Sequence, residues 1–177
     1  MKKSQTALII MLIAILGSST ISAVSSMNNM VTKLETHFYK GDHNDNLSIY
    51  NDIIDKTEIA ANLVKLSKDY VSSSDSHVKE IQKLINDIPE TKSISKLYKA
   101  VKSLDRDVDW LIAELGNKSL SSTHKDMLVK YQSEYRSENN TINSDNYNSL
   151  VRSYYEETKG FPGSLFRIIA KNAEYFE

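Results

Sequence analysis

The chain has 177 residues, a formal net charge of −1 and no cysteine, with 40% hydrophobic and 25% charged residues. Disulfides and thiolate metal sites are excluded, and the charge balance gives no reason to expect a nucleic-acid partner. Five glycines and two prolines, placed at the ends of predicted elements, favour long helices over a sheet with many turns.

The first predicted element is an apolar helix. Ala7, Leu8, Ile9, Ile10, Met11, Leu12, Ile13, Ala14, Ile15 and Leu16 form an unbroken run, followed by a softer stretch to Val24. At about 1.5 Å per residue, residues 7–24 reach roughly 27 Å, close to a bilayer's hydrocarbon thickness. These ten residues are the expected contact with the lipid bilayer. A basic start, an apolar core and small residues at Thr20/Ser22 or Ala23/Ser25 also describe a cleavable signal peptide. Against cleavage, Met27, Met30, Val31 and Leu34 continue an apolar stripe at helical spacing. The expected organisation is a cytoplasmic stub and membrane anchor over residues 1–26 and one helical domain over 27–177. Lys2 and Lys3 precede the span, and the first charges beyond it are Lys33 and Glu35, so the positive-inside bias puts the body outside the cytoplasm.

Residues 28–39 extend this helix to a run of turn formers at 40–46. Asp42, Asn44 and Asn46 have the spacing of a calcium loop's start, but its sixth position is Leu47 and its twelfth Ile53, so the match fails. Residues 47–88 contain no Pro or Gly and keep a helical apolar period, which predicts one long helix. Its weak point is the Ser/Asp run at 72–76, because those side chains compete for backbone hydrogen bonds. His77, just beyond, has no second His at ligand spacing and reads as a structural residue.

Pro89 is expected to restart the chain, with Asp87 and Glu90 as N-terminal partners. Ile94, Leu97, Tyr98, Val101, Leu104, Val108, Leu111, Ile112 and Leu115 then make the cleanest amphipathic stripe, ended by Gly116. Asp105, Asp107 and Asp109 point in three directions on a helix, about 200° apart per step, so they cannot converge on an ion. They read as a solvated face with Trp110 at its margin. The last long helix is expected to start near Ser121–Thr123, where Thr123-x-x-Asp126 resembles a capping box, and to reach about residue 158. The poor helix formers at 138–146 either interrupt it or are overridden by packing. Gly160, Pro162 and Gly163 end it, and the apolar tail 164–177 reads as a docked segment rather than a partner- or membrane-touching patch.

No catalytic, cofactor-binding or metal-binding residue is assigned. The four His (37, 43, 77 and 124) are scattered, no glycine-rich phosphate loop occurs, and the Glu-x-x-His pairs of carboxylate-bridged metal bundles are missing from the sequence. The reading is a non-enzymatic interaction or scaffold protein. Its rivals are an extracytoplasmic ligand-binding sensor bundle working through a membrane partner and a secreted helical protein with a cleaved signal.

Two stretches resemble the LemA family. Glu58-Ile59-Ala60-Ala61-Asn62-Leu63-Val64, followed by Tyr70, is similar to the family's Asp-Leu-Ile-Pro-Asn-Leu-Val…Tyr. Tyr147-Asn148-x-x-Val151-x-x-Tyr154, followed by Phe161-Pro162 and the ending Tyr175-Phe176-Glu177, resembles its C-terminal motif. The family's Arg-Arg is Asp55-Lys56 here, its Pro is Ala61, and its upstream Glu-Asn pair is Glu138-Asn139, one residue out of step. The resemblance implies an all-α, single-pass bacterial (inner) membrane protein of the cell envelope: a transmembrane helix followed by an antiparallel four-helix bundle of long helices. The family's molecular function is not established. The resemblance also implies that Asn62, Tyr70, Tyr147 and Asn148 are inter-helix packing positions.

Overall fold

A computed structural model describes residues 3–41 and 47–177, and among them the chain is helical with no strand. The helices are α1 (Lys3–Lys40), α2 (Ile49–Ser67), α3 (Ser76–Glu90), α4 (Ile94–Gly116), α5 (Ser122–Ser144), α6 (Tyr147–Glu157) and a single turn, α7 (Gly163–Phe166). Two compact units result: the described part of Met1–Thr36 with Ser149–Ala173, and His37–Asn148 with Glu174–Glu177.

The second unit holds α2 to α5. Leu97, Val101, Leu104, Val108, Leu111 and Leu115 bury the predicted stripe of α4. They share the core with Ile53, Ala60, Leu63 and Val64 of α2 and with Val78, Ile81, Leu84 and Ile88 of α3. Each large apolar side chain so buried contributes roughly 1.5–3 kcal/mol. α2 packs on α3 and α5, and α3 packs on α4. The α2–α3 hairpin is antiparallel: the Tyr50 hydroxyl at the start of α2 donates to the Pro89 carbonyl at the end of α3, 3.3 Å away.

The expected single helix over 47–88 is therefore two helices. The Ser/Asp run is a full break, not a soft spot. Tyr70 and Val71 N–H both turn back to the Ser67 carbonyl, and the Asp75 carboxylate caps α3 by accepting from His77 and Val78 N–H. Folding back lets each half cover the other's apolar stripe, which a single rod could not do. Pro89 does not restart the chain either. It lies in the last turn of α3, and α4 begins at Ile94 behind Ser93, whose hydroxyl accepts from Lys96 N–H. It lacks the N–H for an i→i−4 bond and its ring crowds the preceding turn, and the helix stops one residue later, at Glu90.

Helix α5 starts within the expected stretch, but its cap is Ser121, which accepts from His124 N–H at 3.2 Å, rather than the Thr123 box. It continues through the poor formers at 138–144 and breaks at Asp145, whose carboxylate accepts Tyr147 N–H at 2.7 Å to open α6. Burial of Tyr135 and Ile142 on this helix supplies the packing that overrides weak propensity. Gly41 ends α1 with φ 78°, donating its N–H to the His37 carbonyl, and a side chain there would strain the left-handed turn.

In the first unit, Met27 and Val31 of α1 are buried, as are Val151, Tyr154, Thr158, Ala170 and Ala173. Asn28 accepts the Lys171 N–H at 2.7 Å, and the Lys171 ammonium reaches Glu35 at 2.6 Å. The docked-tail expectation holds for Ala170 and Ala173 only in this unit, since Phe161, Leu165, Ile168 and Ile169 are exposed. Among the described residues no helix is long and apolar enough to cross a membrane. Ile10, Met11 and Ile15 are exposed on α1. The side chains of Ala7, Leu8, Ile9, Leu12, Ile13, Ala14 and Leu16 lie outside the described residues, as do Asp42, Asn44 and Asn46.

Candidate functional site

The most concentrated polar chemistry of the second unit lies inside it. Lys56 sits on the buried face of α2, between Ile53 and Ala60 at helical spacing, and is 0% exposed. Its ammonium pairs with Asp105 of α4, donates to the Asn139 side-chain oxygen of α5 at 2.6 Å, and lies 4.7 Å from the centre of the Tyr135 ring. The Tyr135 hydroxyl donates to the same Asp105 oxygen at 2.9 Å. Burial pushes the Lys56 amine below its ordinary range, although the Asp105 charge and hydrogen bond push it back up. Three helices are thus fastened at one point by partners that satisfy one another. Among the described residues no buried side-chain nitrogen or oxygen lacks a hydrogen-bond partner.

Beside this cluster is a cleft of about 110 Å³, into which Asp105, Asn139, Lys102, Asp145, Tyr98 and Phe176 project. That is room for a few waters, whereas small-molecule pockets run from about 300 Å³. Two larger hollows, each about 430 Å³, are open grooves on the helix surfaces.

The cleft is closed by the last residues of the chain. Asn148 holds Phe176 by both backbone groups, donating to its carbonyl and accepting its N–H, each at 2.8 Å. The Tyr147 hydroxyl donates to the Glu174 carbonyl at 2.7 Å. The Phe176 ring packs against Phe38 and Tyr98, with centroids 5.4 and 5.3 Å away. The Glu174 carboxylate accepts from the Ser93 hydroxyl and Ser95 N–H at the start of α4. Burial raises that carboxyl, but these bonds outweigh it and hold it below the usual range. Tyr147 and Asn148 are therefore packing residues with a defined task, which is to fix the terminal strap. Tyr70 is another: its hydroxyl meets the His124 Nδ1 at 2.7 Å. Asn62 is half-buried.

The aspartate triplet is corrected by the structure. The three carboxylates do diverge, but two of the directions lead inward. Asp105 faces Lys56, Asp107 is buried against α3, and only Asp109 is solvated. Asp107 binds His77 Nδ1 at 2.8 Å and the Arg106 guanidinium at 2.9 Å, while His77 stacks on Trp110 at 4.3 Å. Burial raises the Asp107 carboxyl, yet the Arg106 and His77 bonds prevail and hold it low. His77 is half-buried between Asp107 and Trp110. Among the described residues no group of His, Asp and Glu is placed to hold a metal ion. The sequence reading assigns Lys56 no partner; its signal is a lone cation inside an apolar stripe, with a carboxylate on the opposing helix.

Asp52, near the start of α2, carries a carboxyl pushed up to about 6 by burial and by Glu138, Asp55 and Asp145. A carboxyl raised on folding binds its proton more tightly in the native state, so its ionisation costs stability above about pH 6 and nothing below the unfolded value near 4. Asp52→Asn is expected to stabilise the chain by about 1 kcal/mol at pH 7.5, part of the shift being screened by solvent, and by almost nothing at pH 4. Urea midpoints at the two pH values measure this.

No protein-family model, curated protein or solved structure matches the chain. The fold and site define an all-helical protein whose four-helix unit is cross-linked by a buried ion pair and strapped by its own terminal residues.

Proposed function

We propose that the chain is a single-pass, membrane-anchored helical-bundle protein of the LemA type, acting in the bacterial envelope as a non-enzymatic interaction scaffold. One observation carries this reading. Helix α1 is continuous from Lys3 to Lys40, so the apolar stretch and the packed residues Met27 and Val31 belong to a single rod. The small residues Ala23 and Ser25 lie within that helix rather than in a loop. A span that continues into the folded domain fits a retained anchor. The LemA reading has support of its own, since two matching positions from separate stretches of the resemblance meet: Asn148 bonds Phe176. The polar side chains of the cluster are spent on one another, which suits a rigid body offering surfaces more than a reaction centre.

The proposed location is the bacterial inner membrane, with Lys2 and Lys3 cytoplasmic and the body outside. Protease added to intact spheroplasts is expected to digest the body while a cytoplasmic control survives. Full protection until lysis would show the opposite orientation and move the partner search to the cytoplasm.

A further inference from the structure

Within the first unit, Phe161, Leu165, Ile168 and Ile169 are 84%, 53%, 79% and 64% exposed. Single exposed apolar side chains are ordinary, but four large ones within nine residues form a patch that calls for a partner. We propose that this patch is a second membrane contact, lying in the phospholipid interface beside the span; it rests on the anchor reading above.

Three features fit a lipid surface. The first is the backbone, which is closed by short turns: Ser164 N–H to Gly160, Arg167 to Gly163, Ile168 to Leu165 and Ala170 to Phe166, at 2.9–3.2 Å. A segment whose N–H groups are bonded locally can enter the headgroup boundary without stranding donors. The turn is tight, since a Cβ added at Gly163 would lie 2.9 Å from the Thr158 carbonyl oxygen.

Position is the second. Lys171 is tied to Asn28 and Glu35 of α1. Asn28 is four residues, or about 6 Å, beyond Val24 at the end of the apolar stretch. Ile168 and Ile169 are three and two residues from Lys171, so the chain cannot carry them more than about 10 Å from that tether. They therefore lie near the level where the proposed span leaves the hydrocarbon, and Ile21 on α1 is likewise 73% exposed.

The third is charge. Residues 158–171 carry Lys159, Arg167 and Lys171 and no Asp or Glu. Lys159 reaches Glu156, Lys171 reaches Glu35, and Arg167 lies over the Tyr155 ring, all at exposed or half-exposed positions where anionic headgroups compete. An apolar face rimmed by basic residues is the composition of interfacial segments.

The chain is free of cysteine, so single labels are available. The full-length protein carrying Ile168→Cys, Ile10→Cys or Ser153→Cys is labelled with an environment-sensitive fluorophore and reconstituted in liposomes of phosphatidylcholine and phosphatidylglycerol. The Ile168→Cys label should lose most of its emission to lipid doxyl groups placed near the headgroup and little to aqueous iodide. Ser153→Cys, exposed on α6, should show the reverse. Adding Ile169→Glu should release the Ile168→Cys label to iodide while Ile10→Cys stays quenched by lipid. If Ile10→Cys is quenched by lipid and Ile168→Cys is not, the interfacial contact is wrong and the anchor stands. If neither is quenched by lipid, the anchor reading fails and takes this one with it. An Ile168→Cys label shielded from iodide but untouched by lipid, or cross-linking between copies there, would assign the patch to protein and overturn the proposal.

Discussion

Lys56→Met should lower the unfolding free energy of the full chain by about 3–5 kcal/mol, the cost of removing one partner from a buried pair. The substitution keeps most of the side chain's volume, so the loss is not mainly a cavity. It strands the Asp105 carboxylate, which keeps the Tyr135 hydroxyl but loses its cation in a site where Lys56 is 0% and Asp105 15% exposed. Domains are stable by about 5–15 kcal/mol, so a large share of the total is at stake. The double variant Lys56→Met with Asp105→Leu should recover much of the loss, since two apolar side chains can replace a buried pair at little cost. Urea unfolding in mild detergent, followed by circular dichroism, measures both. A change under about 1 kcal/mol for Lys56→Met would mean that the pair is hydrated, not buried.

Leu104→Asp should be more damaging still. Leu104 is fully buried at the centre of the α4 stripe, one residue before Asp105. The new carboxylate would find apolar neighbours and a like charge nearby, and would either remain protonated or unfold its surroundings. A cost of several kcal/mol, on the order of the whole stability, is expected. Loss of the cooperative transition and of protease resistance over α2–α5 would show it. Wild-type behaviour of Leu104→Asp would contradict the packing of α4 against α2 and α3.

What the sequence made legible follows from which signals are local. The α4 stripe is periodic over six turns and needs no knowledge of its partners. Ile94, Leu97, Val101, Leu104, Val108, Leu111 and Leu115 are buried as it predicts, while Tyr98 and Ile112 at its edges are half-buried. The run at 72–76 is different. Its serines weaken any helix, but whether the chain bends or reverses depends on the stripe of α3 finding α2, which is not encoded within the run. Pro89 is favoured in a first turn and disfavoured in a last one, so its local signal points to a helix start, and the Ser93 cap, four residues later, marks where that start falls. The strap is legible in retrospect: the Tyr147-Asn148 and Tyr175-Phe176 motifs lie far apart in sequence and form one contact. Asp105 and Asp107 show the limit of angular reasoning. Their spacing makes them diverge on any helix, but a direction becomes inside or outside only when neighbouring helices are present.

The central claim is that α1 remains a single piece, with the apolar stretch attached to the domain it enters. Intact mass spectrometry of the protein recovered from membranes tests this most directly. The account predicts a mass that includes residues 7–24, recovered only with detergent. A mature chain beginning near residues 23–26 in the soluble fraction would contradict it.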